Sequence, residues 1–247
     1  MWTHEVSPEW LAARKPYLTA STIADLVKHK PNEVEVDGEP VDLWFARVWF
    51  SKQSMVPEQS PDTQPMIRGH VLEPYAVEQF ISDTGHKMHH WDDVIIHNGV
   101  VGWSPDGLDV EQPKDIVSLE STDDCLKNAT AAFEIKCYGN DKHSDCSLQD
   151  KMKLDERWQL VVAMWLMPWL TTAYLVFYNP NKENGYISIK EYTRDDFAKD
   201  FETVDKVVEK WTKTCATLDR FSASHHSGKG LLRTEREIQE EVGYFEQ

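Results

Sequence analysis

The chain has 247 residues, of which 40% are hydrophobic, enough to bury one substantial core in a single α/β domain. Its formal net charge of -16 argues against a general nucleic-acid coat protein, because such proteins hold phosphates with Lys and Arg. No stretch approaches about 18 uncharged apolar residues, and residues 1–16 lack an apolar run. We therefore expect neither a membrane span nor a signal peptide, and we expect a soluble, cytoplasmic protein.

The spacing of the cysteines excludes two common kinds of site. Intervals of 12, 9 and 69 positions match neither a Cys-x-x-Cys zinc pair nor the dense disulfide framework of small secreted domains. An iron-sulfur cluster also needs closer spacing. We therefore predict free thiols at Cys125, Cys137, Cys146 and Cys215.

The first third of the chain predicts three helices and a loop. Residues 7–28 fit two short helices on either side of the hydroxyl-bearing segment Thr19–Ser21, which suits a helix start. Residues 52–64 are rich in Pro, Ser and Gln and predict a loop. Apolar residues then recur at helical spacing through Met66–Thr84, and the following Gly85 is typical of a helix end.

Three histidines, at positions 86, 89 and 90, lie between this helix and the next predicted strand. They lack a Cys or an acid at the spacing of zinc ligands. We predict a solvated loop here rather than a zinc site.

The middle of the chain predicts β structure. Residues 93–97 and 99–103 are short β-branched runs that meet at Asn98-Gly99, a dipeptide typical of tight hairpins. The segment Ser104–Gly107 predicts a turn directly after the second run. We therefore expect a β-hairpin that is followed directly by this turn.

The next segments combine a short strand, an insertion and a longer strand. Residues 108–110 can resume the sheet, and the polar residues 111–128 are interpreted as an insertion. Apolar and charged residues alternate through 131–138, which predicts a strand with one buried face. This strand carries the acid and the base discussed below.

The pattern of the C-terminal half predicts a helix, then two strands, then a second helix along the chain. Residues 154–170 form an aromatic helical pattern, 173–178 and 186–189 predict strands, and 195–221 predicts a long amphipathic helix. Together these elements predict an α/β fold with a central mixed β-sheet flanked by helices. We expect one domain over residues 1–221, followed by a linker and charged tail over residues 222–247.

An acid at a turn and an acid–base pair on a strand suggest catalysis. Because strand side chains alternate, Glu134 and Lys136 emerge on one face, roughly 6.5 to 7 Å apart along the backbone. Asp106 lies in the Pro-Asp-Gly turn upstream. A plain solvated strand face is the alternative, but Phe133 and Ile135 already supply a buried face on the same strand.

These residues suit metal-assisted hydrolysis of a phosphodiester. The carboxylates of Asp106 and Glu134 and the backbone carbonyl of Ile135 offer oxygen ligands for a hard divalent cation. Two Mg²⁺ ions could stabilise the attacking and leaving oxygens, and Mn²⁺ accepts the same ligands. Lys136 could then orient or help to deprotonate the attacking water.

A further carboxylate comes from the helix at 66–84. Glu73 lies on an otherwise apolar stretch, where a carboxylate needs a partner or a metal. A salt bridge to Arg68 is the alternative interpretation. Sequence spacing alone leaves both open.

The chain resembles the phage lambda-type exonucleases, also called YqaJ-like viral recombinase nucleases, of the PD-(D/E)xK superfamily. Four blocks carry this resemblance in the order expected for the family. They are residues 10–21 (WLAARKPYLTAS), 69–76 (GHVLEPYA), 104–108 with 133–137 (SPDGL and FEIKC), and 158–165 (WQLVVAMW). The resemblance implies a restriction-endonuclease-like PD-(D/E)xK core.

The resemblance also implies roles for individual residues. It implies metal binding by Asp106 and Glu134, catalysis by Lys136, and a metal-facing position for Glu73. Gln159 would point into the active site, or else be a satisfied polar residue beside the core. Arg14 and Ser21 would bind a terminal 5′ phosphate; a surface charge and a helix N-cap are their alternatives. The candidate catalytic residues are therefore Asp106, Glu134, Lys136, Glu73 and Gln159, and the candidate metal ligands are Asp106, Glu134, Ile135 and Glu73.

The expected function is Mg²⁺-dependent exonuclease action on linear duplex DNA, 5′ to 3′, leaving 3′ single strands for phage-type recombination. The resemblance implies a homotrimer, a single-strand annealing protein as partner, and a phage or prophage origin in a bacterial host. An endonuclease with the same site is one alternative. A non-catalytic acidic protein, such as a DNA mimic or inhibitor, is another.

Overall fold

The computed structural model describes residues 8–54, 64–91, 94–111, 117–118, 124–183 and 186–225. Its helices alternate with strands along much of the chain. The helices are α1 (Pro8–Arg14), α2 (Ala20–Lys28), α3 (Leu43–Gln53), α4 (Gln64–Thr84), α5 (Asp124–Lys127), α6 (Asn140–Leu148), α7 (Trp158–Leu166) and α8 (Ala198–His225). Among these helices, none combines the length and the apolar character that a membrane crossing requires.

The strands are short in the first half of the chain and longer in the second. They are β1 (Leu18–Thr19), β2 (Glu33–Val36), β3 (Glu39–Asp42), β4 (His89–His90), β5 (Ile96–His97), β6 (Val101–Trp103), β7 (Gly107–Leu108), β8 (Val117–Ser118), β9 (Ala131–Cys137), β10 (Thr172–Tyr178) and β11 (Ile187–Thr193).

The main sheet is mixed and has the order β11-β10-β9-β7-β4. Its centre is a parallel pair, β9 and β10, in which Ile135 lies opposite Val176. The pairings of β11, β7 and β4 are antiparallel. A second sheet has the order β1-β6-β5-β8, and β2 and β3 form a separate hairpin. The predicted mixed α/β architecture is confirmed.

Strand β9 separates two hydrophobic clusters, and this separation positions the candidate site. Phe133, Ile135 and Cys137 pack toward α4, where the rings of Phe80 and Phe133 lie 5.3 Å apart. Ala132, from the opposite face, belongs to the larger cluster that contains most of α7. Because side chains alternate along a strand, Glu134 and Lys136 point to the α7 side.

The N-terminal helices form as predicted, with Thr19 as the cap of α2. The Thr19 hydroxyl accepts a hydrogen bond from the N–H of Thr22 at 3.3 Å. Such a cap stabilises a helix by about 1 kcal/mol. The apolar side of α2, including Ile23 and Leu26, is buried in the main core.

Helix α4 and the hairpin after it also agree with the predictions. The helix ends before Gly85, whose φ of +70° suits a glycine at a helix end. Strands β5 and β6 pair antiparallel around Asn98-Gly99, and the Asn98 side chain accepts hydrogen bonds from the N–H groups of Val100 and Val101. Both strands are shorter than the sequence runs.

Several elements differ from the predictions or were not predicted. The β2–β3 hairpin, α3 and α6 are not predicted from the sequence. Helix α3 extends to Gln53, into the predicted loop, whose residues 55–63 lie outside the described part. The hairpin turns through Asp37 and Gly38, with φ of 50° and 80°. Helix α7 is shorter than 154–170 because 3-10 turns precede it.

The predicted insertion and tail are only partly described. Within residues 111–128, β8 pairs with β5, and α5 follows. Helix α8 continues to His225, so the first residues assigned to the linker are helical, and residues 226–247 lie outside the described residues. The division at residue 221 stays a prediction. Three of the predicted free thiols, Cys137, Cys146 and Cys215, are described, and all three are free.

Candidate active site

The pairing of β7 with β9 brings Asp106 to Glu134. Gly107 lies opposite Phe133, so the residue before Gly107 reaches the level of Glu134. Oδ2 of Asp106 accepts a hydrogen bond from the backbone N–H of Ile135 at 2.6 Å. The turn acid is therefore anchored to the strand that carries the second acid.

Glu134 and Lys136 form an ion pair on the α7 side of β9. The Lys136 ammonium lies 2.5 Å from Oε1 of Glu134. The Glu134 residue is only 3% exposed, whereas the Lys136 side chain is 29% exposed. A buried carboxylate is therefore presented beside a lysine that solvent and ligands can reach.

The charges in this group are strongly coupled. Burial raises the pKa of Glu134, and the negative charge of Asp106 raises it further against the attraction of Lys136. Burial acts to lower the pKa of Lys136, but the charges of Glu134 and Asp106 outweigh it, so the net shift is upward. Two close carboxylates with a single adjacent ammonium favour the binding of further positive charge.

The donor set fits a hard divalent cation that keeps some of its water. The N–H and C=O of a strand residue point to the same side, so the Ile135 carbonyl projects from the strand edge at which Asp106 accepts its hydrogen bond. Within the described residues, no three His, Cys, Asp or Glu side chains lie close enough together to hold a metal. Asp106, Glu134 and this carbonyl would thus share a metal with water, as Mg²⁺ sites commonly do.

Glu73 contacts a histidine rather than the arginine that its spacing suggested. Nδ1 of His90 lies 3.7 Å from Oε1 of Glu73 and 2.8 Å from the carbonyl oxygen of Asp106. Because a carbonyl can only accept, Nδ1 of His90 is the donor in the shorter contact. His90 therefore links the α4 carboxylate to the backbone of the turn acid.

The alternative partner of Glu73 is engaged elsewhere. Arg68 donates hydrogen bonds to the carbonyl of Cys137 at 2.9 Å and to the Asn179 side chain at 3.1 Å. It ties α4 to the ends of two neighbouring strands. The salt-bridge interpretation for Glu73 and Arg68 is therefore not what the structure shows.

The prediction of a solvated histidine loop is wrong for two of the three histidines. His89 and His90 form β4, which pairs with β7 at the edge of the main sheet, and both are half-buried. Backbone pairing beside the Pro-Asp-Gly turn, which no local pattern revealed, places them there. His86 is exposed, and its Nε2 lies 3.3 Å from the Tyr174 hydroxyl.

Arg14 lies within electrostatic reach of Glu134, and Ser21 lies in the first turn of α2. Arg14 ends α1, with its guanidinium 4.9 Å from the centre of the Trp10 ring. Burial lowers its pKa, while the charge of Glu134 acts in the opposite direction. Ser21 is exposed in the first turn of α2, with its hydroxyl 3.0 Å from that of Thr19. Ser21 is not the N-cap, because Thr19 takes that position.

Gln159 and Ser104 differ in their burial and in their hydrogen bonding. Gln159 is half-buried in the first turn of α7, which packs on the Glu134 side of the sheet. No hydrogen bond joins it to Asp106, Glu134 or Lys136 among the described residues. The Ser104 hydroxyl, two residues before Asp106, is buried without a partner in the described structure. The sequence interpretation treated Ser104 only as part of the turn.

The fold resembles solved nuclease structures over most of its length. An alkaline exonuclease from Laribacter hongkongensis (LHK-Exo) matches with 23% identity and a TM-score of 0.56, covering 88% of this chain and 94% of that chain. Its complex with dAMP matches with 20% identity and a TM-score of 0.57, covering 96% and 99%. A phage related exonuclease from Haemophilus somnus 129PT has 13% identity and a TM-score of 0.55, covering 84% and 96%.

These likenesses confirm the restriction-endonuclease-like fold predicted for the core. No curated protein sequence matches the chain. The family model described as YqaJ-like viral recombinase domain matches residues 9–173, a span that contains every predicted site residue. The chain therefore belongs to the YqaJ-like viral recombinase domain family.

Proposed function

We propose that this protein is a divalent-metal-dependent exonuclease that degrades one strand of linear duplex DNA in the 5′ to 3′ direction. The observation that carries the proposal is the convergence of Asp106, Glu134 and Lys136 across two paired strands. The products would be mononucleotides and a 3′ single-stranded end for recombination. Mg²⁺, bound as two ions, is the proposed cofactor, and Mn²⁺ would substitute.

Different residues of the chain would bind the metal and orient the attacking water. Asp106, Glu134 and the Ile135 carbonyl would hold the metal, and Glu73, which contacts His90, would approach it from α4. The metal, when bound, would polarise the scissile phosphate and lower the pKa of the attacking water. Because the charges of Glu134 and Asp106 raise the pKa of Lys136, we assign this lysine to orienting that water and balancing charge on the phosphate.

The end of the substrate strand would be recognised by Arg14 and Ser21. A guanidinium and a hydroxyl in the first turn of a helix suit a terminal phosphate, because both donate to its oxygens. Thr19 already caps α2, which leaves the exposed Ser21 hydroxyl for a ligand.

Fold and family support the proposal. The structural neighbours include two named exonucleases, and one of them was solved with dAMP, a deoxynucleoside monophosphate. The proposal also includes a homotrimer, a single-strand annealing protein as partner and a location in the cytoplasm of a bacterial host. Those features come from the resemblance alone.

A non-catalytic acidic protein is the second candidate, favoured by the net charge of -16. The buried carboxylate of Glu134 argues against it, because an inert protein would gain stability by losing such a group. An endonuclease would use the same metal site without needing Arg14 and Ser21.

Cleavage of linear duplex DNA labelled at either end tests the proposal. Wild-type protein with Mg²⁺ should release nucleotides from 5′ ends, and EDTA or Lys136→Ala should abolish release. Lys30→Ala, which removes an exposed lysine two residues after the end of α2, is the matched control and should retain activity. Cutting of closed circular DNA would favour the endonuclease, and no cleavage with either metal would favour the binding protein.

A further inference from the structure

Two lysines join the turn after α1 to the end of α3. The Lys52 ammonium donates hydrogen bonds to the carbonyl oxygens of Lys15, at 2.8 Å, and Tyr17, at 2.5 Å. The Lys15 ammonium in turn donates to the carbonyl of Ser54. The ammonium groups of Lys15 and Lys52 therefore cross-link the turn after α1 to the end of α3, and this turn directly follows Arg14.

No acidic side chain forms an ion pair with this basic group, Arg14, Lys15 and Lys52, in the part of the chain that the structure describes. The pKa of Lys52 is lowered to about 8, first by burial and then by the positive charge of Arg14. Half-buried cations that repel one another become more stable when an anion binds between them.

A ligand can reach Lys52 from solvent. Lys52 lines an open cleft of about 400 Å³ between α2 and α3, whose other polar and charged lining residues include Thr22, Asp25, Arg47 and Ser51. An ammonium group has three N–H donors, and the two carbonyl contacts use two of them. One donor and the positive charge therefore remain for an anionic ligand.

We propose that Lys52 is a specificity-determining ligand of the terminal 5′ phosphate, acting beside Arg14. The inference rests on the proposed function, which supplies the phosphate-bearing strand end. An arginine can hold two phosphate oxygens in a planar fork, while a lysine adds a compact point charge. The residue comes from α3, outside the sequence blocks that carry the family resemblance.

Binding and cleavage of a short duplex with either a 5′ phosphate or a 5′ hydroxyl test this inference. Binding is measured by fluorescence anisotropy with Ca²⁺ in place of Mg²⁺, and cleavage with Mg²⁺. In the wild type the phosphorylated duplex should bind more tightly. In Lys52→Met this preference should fall about tenfold, whereas Lys52→Arg should retain most of it.

Two further variants distinguish loss of the phosphate contact made by Lys52 from loss of the folded structure. Lys52→Gln keeps an N–H donor for the turn but removes the charge, so it should lose the preference even if Lys52→Met fails to fold. Lys30→Met removes an exposed charge elsewhere and should leave the preference unchanged.

The outcomes also separate this inference from the proposed function. If the variants at Lys52 keep the wild-type preference, or weaken binding of both ends equally, Lys52 is structural and the inference is wrong. A wild type that cleaves DNA without any phosphate preference would overturn the inference and leave the exonuclease proposal standing. A wild type that neither binds nor cleaves DNA would overturn both.

Discussion

Asp106 accepts a hydrogen bond from the backbone N–H of Ile135 at 2.6 Å, and this contact fixes the turn acid beside the buried Glu134. The two carboxylates are therefore held close enough for the charge of Asp106 to raise the pKa of Glu134. Repulsion between them is built into the metal-free protein. The first predictions follow from that repulsion.

Asp106→Asn should abolish cleavage while preserving the fold. The amide oxygen can still accept from the Ile135 N–H, but the negative charge that a metal requires is lost. We expect the initial rate to fall at least about 100-fold, and the melting temperature in EDTA to stay constant or rise. A variant with more than about a tenth of wild-type activity would remove Asp106 from the proposed metal site.

The stability of the metal-free protein should decrease as pH rises. The pKa of Glu134 in the folded state is raised above the unfolded value, by burial and then by Asp106. A raised folded pKa means that stability is fully present below the unfolded pKa and is lost as pH rises toward the folded one. The melting temperature in EDTA should be lower at about pH 9 than at about pH 6, and the difference should shrink in Glu134→Gln.

Mg²⁺ should reverse this pH effect if Glu134 is a ligand. A metal that binds the carboxylate competes with its proton, so stabilisation by Mg²⁺ should be larger at about pH 9 than at about pH 6. For the same reason, raising the Mg²⁺ concentration should move the rise of activity to lower pH. Equal stabilisation at both pH values would argue against Glu134 as a ligand.

Substitutions of Glu134 and Lys136 should have non-additive effects on the free energy of unfolding. Lys136→Met leaves a buried carboxylate beside Asp106 without its cation, and we expect a loss of about 1 to 3 kcal/mol in the free energy of unfolding. The double variant with Glu134→Gln should recover most of that loss, because no uncompensated charge remains. Denaturant unfolding of the four proteins in the cycle measures the coupling, and additive effects would contradict it.

Arg68 should stabilise the attachment of α4 to the sheet. Arg68→Met removes hydrogen bonds to the Cys137 carbonyl and the Asn179 side chain, and we expect a loss of about 2 kcal/mol. Arg220→Met, at an exposed position near the end of α8, is the control and should change stability by less than about 0.5 kcal/mol. Equal effects of the two substitutions would show that the Arg68 contacts contribute little.

Thr19 and Ser21 should differ in what they contribute. Thr19→Ala removes the cap of α2 and should cost about 1 kcal/mol of stability. Ser21→Ala should leave the melting temperature nearly unchanged but reduce the preference for 5′-phosphorylated ends. Thermal unfolding and end-labelled cleavage distinguish the two effects, and the reverse pattern would identify Ser21 as a structural residue.

The sequence by itself determined the local features of the catalytic strand. Alternation of apolar and charged residues along β9 predicted that Glu134 and Lys136 share a face, because the side-chain period of a strand is two residues. The hydroxyl-bearing segment before α2 and the Gly after α4 likewise predicted helix limits, since caps depend on a few neighbouring residues.

Only the tertiary structure decided which distant residues meet at the site. His90 reaches Asp106 through the pairing of β4 with β7, and Lys52 reaches the turn after Arg14 from the end of α3. Neither contact leaves a periodic or local signal, because each joins segments that are many residues apart. Sequence patterns report how each segment is buried, whereas the sheet register and the packing of helices on it determine which polar groups become neighbours.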